Sequence, residues 1–203
     1  MIIVIDYGLG NIRSVFTKIS QTGESVKVSH AISDIESADK LVLPGVGSFD
    51  AGISNLNALN LIPVIKRKVL KEKIPILGIC LGLQLFTNRS EEGNLPGLGM
   101  IDADTKKFHF VDAIPLNIPH MGWNTINIEK NSPLLSGIEN NSRFYFVHSY
   151  HTCCNNKEDI VASTRYGYEF PSIIQKENIF GVQFHPEKSH KQGMQLIKNF
   201  IQI

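Results

Sequence analysis

The sequence predicts an α/β fold in which a central, mostly parallel sheet is flanked by helices on both faces. Short runs of aliphatic and β-branched residues alternate with longer amphipathic segments through the first half of the chain, and this alternation is typical of βαβ units. Three of the apolar runs lead directly into turns that contain glycine. The carboxyl ends of parallel strands, where such turns lie, form the edge at which α/β proteins bind their ligands.

Four strands are predicted in the first half, each a continuous apolar run of the kind that is buried on both faces of a sheet. They cover residues 2–6, 25–28, 40–43 and 75–79. Apolar residues at helical spacing predict helices after the first, third and fourth strands. These helices cover residues 12–21, 51–56, 61–71 and 81–88.

The second half of the chain changes character after Gly99. Its runs are short, β-rich and interrupted by glycine, proline and asparagine, and the clearest strands cover residues 144–147 and 179–184. A final helix follows Ser189, a residue type that favours the N-cap position. Because no repeat, low-complexity tract or linker interrupts the chain, we predict a single domain over residues 1–203.

Composition excludes several classes of protein. With 203 residues, 42% hydrophobic residues and 19% charged residues, the chain has the balance of a globular protein rather than a disordered one. A net charge of +1 provides no long-range field for nucleic acid or acidic membranes. No apolar stretch is long enough to span a bilayer and no signal peptide is visible, so a soluble, cytoplasmic protein is expected.

Three cysteines are too few for the disulfide framework of a secreted protein. Cys153 and Cys154 are sequence neighbours whose bridging would strain the backbone, and we expect both to be ordinary reduced residues. Cys80 differs because it stands between two glycines, at the junction of a predicted strand and a predicted helix. This is the sequence form of a nucleophile elbow, in which a sharp turn exposes the central side chain. A buried structural cysteine is the alternative.

Three further polar residues are placed to work with this thiol. Gln84 lies one helical turn after Cys80, where its amide can hydrogen-bond a polar substrate, although an exposed helical glutamine fits the pattern equally well. His185 and Glu187 are two residues apart after a predicted strand, so an extended backbone directs both to one face. That arrangement suits a histidine base oriented by a carboxylate, and a polar surface loop is the alternative.

The spacing does not support nucleotide, metal or nucleic-acid sites. Arg13 stands where a dinucleotide-binding turn requires its third glycine, and Ile53 stands where a P-loop requires lysine. His148 and His151 are three apart, which on an extended strand directs them to opposite faces, and no further ligand completes a metal site. The basic residues between positions 66 and 73 are expected to form a solvated helix face. We therefore predict no cofactor, no metal and no nucleic-acid partner.

At these motifs the chain resembles a known family. The segment 78–84 around Cys80, together with residues 185–187, resembles the class I, or triad, glutamine amidotransferases. Residues 119–124, Pro-His-Met-Gly-Trp-Asn, are similar to the subfamily of glutaminase subunits of imidazole glycerol phosphate synthase. The resemblance runs essentially from end to end and includes residues 6–11, 44–50, 144–150 and 181–189. It implies a flavodoxin-like class I glutamine amidotransferase fold.

The resemblance implies that a cysteine–histidine–glutamate triad hydrolyses glutamine to glutamate and ammonia. In the family, the residue matching Cys80 attacks the side-chain amide, the residue matching His185 transfers the proton to the leaving ammonia, and the residue matching Glu187 orients the imidazole. A glutamyl thioester forms and is then hydrolysed by water. The implied substrate-binding residues, of which the first two contribute backbone near the oxyanion, are Gly47, Leu81, Gln84, Ser149 and Tyr150.

The same resemblance implies a heterodimer partner, a (βα)8-barrel cyclase subunit that docks over the glutaminase site and receives the ammonia. The cyclase makes imidazole glycerol phosphate and aminoimidazole carboxamide ribotide in histidine biosynthesis. The predicted docking residues are Asn11, Met121 and Trp123, since an exposed tryptophan suits an interface anchor, and a core position is the alternative for Trp123. The glycines of residues 44–47 are the predicted hinge that couples docking to the oxyanion site.

Three alternatives stay open at the level of sequence. A paralogous glutaminase would supply ammonia for sugar amidination in surface-polysaccharide synthesis, and residues 98–103 and 187–191 are similar to those paralogues. A cysteine α/β-hydrolase would use the same elbow, although its histidine usually lies far from its acid along the chain. A non-catalytic binding protein of the same fold would not need Gln84 or Glu187.

Overall fold

A computed structural model describes residues 1–110 and 116–203. The strands, numbered along the chain, are β1 (Ile2–Ile5), β2 (Val26–Ser29), β3 (Lys40–Gly45), β4 (Ile76–Cys80), β5 (Arg89–Ser90), β6 (Ala103–Lys107), β7 (His120–Thr125), β8 (Asn127–Ile128), β9 (Arg143–His148), β10 (Tyr150–Cys154), β11 (Ile160–Tyr166), β12 (Tyr168–Lys176) and β13 (Ile179–Val182). The helices are α1 (Ile12–Ser20), α2 (Ile32–Glu36), α3 (Phe49–Ala58), α4 (Leu61–Lys66), α5 (Leu81–Leu85) and α6 (His190–Gln202). A π-helical turn, Arg67–Lys71, continues α4, and short 3₁₀ turns cover Pro133–Leu135, Lys157–Asp159 and Pro186–Lys188. None of the helices so described has the length and apolar character needed to cross a membrane.

The main sheet contains eight strands in the order β2-β1-β3-β4-β13-β12-β11-β8. The first five of these strands pair in parallel, and the last three add an antiparallel extension. Two smaller sheets, β10-β6-β5 and β7-β9, are formed mainly by the second half of the chain. The predicted α/β class with a mostly parallel central sheet is therefore confirmed.

The central strands are apolar throughout because side chains on both of their faces are buried. Along β1, Ile2 and Val4 belong to one hydrophobic core, whereas Ile3 and Ile5 belong to the core on the opposite face. Helices α1 and α6 contribute to the first core, and α3, α4 and α5 contribute to the second. Each fully buried aliphatic side chain of this kind stabilises the fold by roughly 1.5–3 kcal/mol.

The helix predicted over residues 81–88 is too long, and α2 was not predicted at all. Helix α5 ends at Leu85 because the chain then leaves it to pair with β6, where Asn88 N donates to Ala103 O at 2.8 Å. Helix α2 has five residues, of which Ile35 alone is buried, so it carries no repeated apolar pattern. The other strands and helices of the first half begin and end within two residues of their predicted limits, apart from the predicted helix 61–71, which becomes π-helical after Lys66.

The basic segment after residue 66 is only partly a solvated face, which corrects the prediction. Lys68 is buried, and its Nζ lies 2.8 Å from both Glu36 O and Glu72 Oε2. Arg67 bridges the carboxylates of the same two glutamates at 2.7 Å each. These charges therefore join the π-helical turn to α2.

Glycine allows the elements around Cys80 to approach each other closely. A Cβ on Gly82 would lie 1.8 Å from Leu43 O, so the first turn of α5 rests directly on the backbone of β3. A Cβ on Gly193 would lie 1.8 Å from Pro186 O, so α6 packs in the same way on the 3₁₀ turn that contains Glu187. The turn that contains Cys80 and the turn that contains Glu187 are thus each held by backbone-to-backbone contact.

We expect Gly82→Ala to lower the free energy of unfolding by about 3 kcal/mol or more, because neither backbone segment can move without disturbing the central sheet. Urea denaturation followed by circular dichroism measures the change. Ser54→Ala, at an exposed position of α3, is the matched control and should change stability by less than about 0.5 kcal/mol. Equal stability of the two variants would contradict the close packing of α5 on β3.

Candidate active site

Cys80 stands at the junction of β4 and α5, as the elbow pattern predicts. Its backbone φ is +54°, a value that residues other than glycine rarely adopt. The side chain is 7% exposed, with Sγ 3.8 Å from Val147 O and 3.7 Å from Gln183 Nε2. The sharp turn therefore directs the thiol toward the segment that joins the two smaller sheets.

His185 and Glu187 form a buried pair beside this thiol. His185 Nδ1 lies 2.8 Å from Glu187 Oε1, and a carboxylate oxygen accepts, so Nδ1 carries the proton. The predicted extended backbone through the pair is wrong, because β13 ends at Val182 and Glu187 lies in a 3₁₀ turn. His185 Nε2 is buried and has no hydrogen-bond partner among the residues that the structure describes. Because Glu187 engages Nδ1, Nε2 is the ring nitrogen left to interact with Cys80.

The environment of His185 favours the charged imidazolium. Burial alone would lower its pKa, but interactions with Cys80 and Glu187 outweigh burial and raise the pKa of His185 to about 10. A histidine that holds its proton next to a thiol is the arrangement that cysteine-dependent enzymes use to activate sulfur.

Asn11 contacts Glu187 rather than standing free at the surface. Its Nδ2 donates to Glu187 Oε1 at 3.3 Å, and its Oδ1 accepts from Ser14 Oγ at 2.8 Å. The second carboxylate oxygen, Glu187 Oε2, is buried without a hydrogen-bond partner among the described residues. We predict that Asn11 contacts a partner protein, and the structure places its amide against the carboxylate of Glu187.

A cavity of about 250 Å³ opens over the thiol. Its size suits a metabolite smaller than a drug-sized ligand. Six residues selected from the sequence line it together, and these are Gly47, Cys80, Leu81, Gln84, Ser149 and Tyr150. Five residues that were not selected complete the wall, and these are Val46, Glu92, Pro119, Val147 and His148.

Glu92 is the carboxylate in this wall, and sequence reasoning missed it. It follows β5 in a turn without periodicity, so only its charge next to glycine marks it in the sequence. Glu92 Oε2 accepts from Phe49 N at the start of α3, at 2.8 Å, and burial raises its pKa. The contact with α3 fixes this carboxylate at the cavity.

Gln84 is buried, so the alternative of an exposed helical glutamine is wrong. Its side chain amide nitrogen donates to Tyr150 O at 3.0 Å and to Gln183 Oε1 at 3.1 Å. The amide thereby ties α5 to β10 and to the end of β13, two elements that border the thiol.

Glycine is required at the last residue of β3, Gly45, and just after the strand, at Gly47, for two different reasons. A Cβ on Gly45 would lie 2.4 Å from Tyr7 Oη and 2.8 Å from Leu81 Cβ, so this position has no space for a side chain. Gly47 has space, since the nearest atom to its Cβ would be 3.6 Å away in Leu9, but its φ is +121°. Of these two glycines, Gly47 is the one that combines room for a side chain with a backbone conformation that other residues resist.

The two apolar residues predicted for docking lie on the outward face of β7. Met121 is 62% exposed and Trp123 is 39% exposed, so a core position for Trp123 is excluded. Trp123 stacks on His190 with ring centroids 5.2 Å apart, and the guanidinium of Arg143 lies 6.0 Å from its ring. Met121 pairs with Val147 of β9, which lines the cavity, so this face adjoins the rim of the site.

The remaining cysteines and histidines form no metal site within the described residues, where no group of three or more potential ligands converges. His148 and His151 do not lie on opposite faces as predicted, because the chain bends between β9 and β10. Both rings pack against Phe108, at 5.3 and 4.7 Å between centroids. Cys153 and Cys154 are unbridged and partly buried, and burial raises the pKa of Cys154 to about 12.

A cysteine at a strained strand–helix turn, a buried histidine–glutamate pair and a small cavity of mixed polarity together indicate an enzyme that transfers acyl groups through a sulfur nucleophile. Comparison with known proteins narrows this class. The family model "Glutamine amidotransferase class-I" matches residues 3–203. The chain belongs to the class I glutamine amidotransferases, and it is therefore an enzyme of glutamine hydrolysis.

Relatives within this family are similar along their whole length. The chain is 51% identical to "Imidazole glycerol phosphate synthase subunit HisH 2" of Methanococcus maripaludis, covering 99% of this chain and 98% of that protein. It is 49% identical to the HisH 2 subunit of Pseudomonas aeruginosa, with both chains fully covered. It is 46% identical to the HisH 1 subunit of Methanococcus maripaludis, again with both chains fully covered.

Solved structures share the fold at low sequence identity. The structure of PurLQS from Thermotoga maritima has a TM-score of 0.72 at 17% identity, covering 99% of this chain and 97% of that one. A glutamine amidotransferase crystal structure has a TM-score of 0.72 at 16% identity, covering 98% and 97%. These likenesses confirm the predicted class I amidotransferase fold.

The raised pKa of His185 predicts a pH-dependent contribution to stability. The folded protein binds this proton more tightly than the unfolded chain, so the contribution is fully present below the ordinary pKa of 6.5 and is lost as pH rises toward about 10. Glu187→Gln removes one source of the shift. The loss of unfolding free energy caused by this variant should therefore be largest near pH 6.5 and shrink as pH approaches about 10, measured by urea denaturation.

Asp34→Asn is the control for this experiment. Hydrogen bonds from Lys27 and Ser29 hold the pKa of Asp34 below its usual range, so this carboxyl is ionised across the whole interval. Its effect on stability should be the same at each pH. A pH-independent effect of Glu187→Gln would show that Glu187 does not raise the pKa of His185.

Proposed function

We propose that the chain is the glutaminase subunit of an imidazole glycerol phosphate synthase and acts as one domain over residues 1–203. It hydrolyses glutamine to glutamate and ammonia, and a (βα)8-barrel cyclase partner uses the ammonia to make imidazole glycerol phosphate and aminoimidazole carboxamide ribotide in histidine biosynthesis. The observation that carries the proposal is the cavity, in which the Cys80 thiol faces the same space as all five residues chosen for substrate binding. Identity of 46–51% to HisH subunits along the whole chain supports the pathway.

Cys80, His185 and Glu187 form the catalytic triad of the proposal. The sulfur attacks the side-chain carbonyl carbon of glutamine, and His185 passes a proton from Nε2 to the departing nitrogen, which leaves as ammonia. Water then attacks the glutamyl thioester while His185 accepts its proton, and glutamate and the free thiol are released. The bond from His185 Nδ1 to Glu187 keeps the imidazole in the tautomer and orientation that both transfers require.

Backbone groups at Gly47 and Leu81 are the proposed donors for the oxyanion. Both residues line the cavity together with Cys80. Backbone N–H groups aimed at developing charge stabilise a tetrahedral intermediate by several kcal/mol in enzymes of this kind. The +121° φ of Gly47 makes its peptide the one whose orientation can change at small steric cost, so we assign the coupling to the partner to this residue.

Gln84, Ser149, Tyr150 and Glu92 are proposed to hold the glutamine. The first three border the cavity from α5 and from the bend between β9 and β10. Glu92 supplies a negative charge, which suits the α-ammonium group of the substrate. Met121 and Trp123 are proposed to anchor the cyclase partner at the rim, with Asn11 acting between that interface and Glu187.

A paralogous glutaminase that supplies ammonia for sugar amidination is the second candidate. Methanococcus maripaludis has both a HisH 1 and a HisH 2 subunit, and the chain is more similar to the second, at 51% against 46%. Two such subunits in one organism are consistent with two destinations for the ammonia. Membership of the amidotransferase family disfavours a cysteine α/β-hydrolase.

Glutamine hydrolysis by the purified chain, alone and with a barrel cyclase subunit, tests the proposal. We expect the partner together with an aminoimidazole-pathway nucleotide to activate hydrolysis, and Cys80→Ala to abolish it. Glu92→Gln should raise KM for glutamine about tenfold and change kcat less than about threefold, because it removes a charge that binds substrate but does not react. Activation by the partner without any response to the nucleotide would favour the sugar-amidination paralogue, and hydrolysis that survives in Cys80→Ala would refute the triad.

Gly47→Val tests the proposed hinge. A β-branched side chain has room there but resists the +121° φ, so we expect activation by the partner, taken as the ratio of the activated to the unactivated rate of the same variant, to fall at least tenfold. Gly45 is unsuitable for this test, since a Cβ would collide with Tyr7 and Leu81. Undiminished activation in Gly47→Val would exclude a hinge at this peptide.

A further inference from the structure

A series of hydrogen bonds begins at Asn124 on β7. Backbone groups around Asn124 fix its donor-to-acceptor direction, that is, which atom of each pair donates the hydrogen. Asn124 Oδ1 accepts from Thr125 N at 2.8 Å, and Nδ2 donates to Arg165 O at 3.0 Å. These two contacts determine which end of the amide carries hydrogen. The same Nδ2 lies 3.1 Å from His120 Nε2, so that ring nitrogen must be the acceptor.

The same donor-to-acceptor order continues through two buried imidazoles, those of His120 and His148. Because His120 Nε2 accepts, its proton is on Nδ1, which donates to His148 Nε2 at 2.9 Å. His148 Nδ1 in turn lies 2.7 Å from Tyr150 O, a carbonyl that can only accept. Both rings are therefore neutral Nδ1–H tautomers. Burial lowers the pKa of His120 to about 4 and that of His148 well below its ordinary value, in agreement with this assignment.

The series of hydrogen bonds ends at residues that line the cavity. Tyr150 O accepts from His148 and also from Gln84 Nε2, whose second hydrogen is donated to Gln183 Oε1. Gln183 Nε2 points its own hydrogen at Cys80 Sγ, at 3.7 Å. Both N–H bonds of Gln84 are thus engaged by protein, and what this side chain offers to a bound molecule is Oε1, a hydrogen-bond acceptor.

We infer that His120 and His148 are positioning residues for the glutamine site, because the one-directional chain from Asn124 fixes the Tyr150 carbonyl and thereby sets the amide of Gln84 with its oxygen toward the substrate. The inference rests on the proposed glutaminase function. Glutamine offers N–H donors at its side-chain amide and at its α-ammonium group, and Oε1 of Gln84 can accept from them. If the Gln84 amide were rotated by 180°, its Nε2 would face these donors and no hydrogen bond could form. A buried donor or acceptor left without its partner is costly, so the chain resists such a rotation.

His151 provides the matched control, since it is a buried histidine in the same aromatic cluster but outside the chain. It packs on Phe108 as His148 does, and its Nε2 lies 2.9 Å from Tyr168 Oη. If only packing on Phe108 mattered, replacing His151 and replacing His148 would have the same effect on the site. Replacement of His120 or His148 also breaks the series of hydrogen bonds, whereas replacement of His151 does not.

The test compares two reagents that modify Cys80 in the full-length protein. 6-Diazo-5-oxonorleucine is a glutamine analogue that must occupy the glutamine site, whereas iodoacetamide needs only the thiol. For His148→Leu and His120→Leu we expect the half-saturating concentration of the analogue to rise about tenfold, with its maximal labelling rate within about threefold of wild type. Iodoacetamide should label Cys80 at the wild-type rate, and His151→Leu should match wild type with both reagents.

His148→Asn separates the hydrogen bond from the ring. Its amide nitrogen reaches the position of Nδ1 and can still donate to Tyr150 O, so it should restore most of the affinity that His148→Leu loses. Nitrogen-15 spectra of the imidazoles give a readout independent of activity. We expect both His120 and His148 to carry hydrogen on Nδ1 in wild type, and Asn124→Asp, which replaces the donor by an acceptor, to move the His120 proton to Nε2.

Three results would overturn the inference. Either imidazole observed as the Nε2–H tautomer in wild type would break the chain. Unchanged affinity for the analogue in His148→Leu and His120→Leu, with normal labelling of wild type, would remove the chain from the site and leave the proposed function intact. Failure of the analogue to label Cys80 in wild type would refute the proposed function and the inference together.

Discussion

The turn at Cys80 is the constraint on which the rest of the site depends. The positive φ of Cys80 lets the polypeptide pass directly from the last residue of β4 into the first turn of α5. Such a turn persists only when its surroundings hold it. Here α5 lies so close to β3 that Gly82 has no room for a methyl group, and the strain is stabilised by the packing of the whole parallel sheet.

The histidine and the glutamate reach this turn from the far end of the chain by similar means. Strand β13 pairs in parallel with β4, so the segments that follow the two strands emerge at the same edge. Ser189 Oγ then donates to His185 O at 2.6 Å and accepts from Tyr145 N at 3.0 Å, which binds the 3₁₀ turn to β9. That hydroxyl ties backbone segments together and makes no side-chain cap on α6, although the helix begins after it as predicted. The distance of 105 residues between Cys80 and His185 is thereby bridged through regular sheet pairing.

Sequence reasoning anticipated what is encoded locally and missed what is encoded by tertiary contact. The central strands are predictable because each is apolar without interruption, and the elbow is predictable because glycines flank its cysteine. Glu92 was missed because nothing in its own segment shows that α3 will lie beside it. His148 was considered only as a metal ligand, since the bend after β9 that turns it toward His120 has no periodic signature. The burial of Gln84 likewise depends on Tyr150 and Gln183, residues distant in sequence.

Strand β7 has consequences for how such proteins diverge. Its even-numbered positions His120 and Asn124 face inward to the polar chain, whereas Met121 and Trp123 face solvent on the opposite side. Because side chains alternate strictly along a strand, the two sets of positions are free to vary independently. Under the proposed function, in which the outward residues contact the partner and the inward residues position the glutamine site, a duplicated gene could change its partner through the first set alone. The proposed contacts to the partner and to the glutamine site would then be separable within the six residues of this strand.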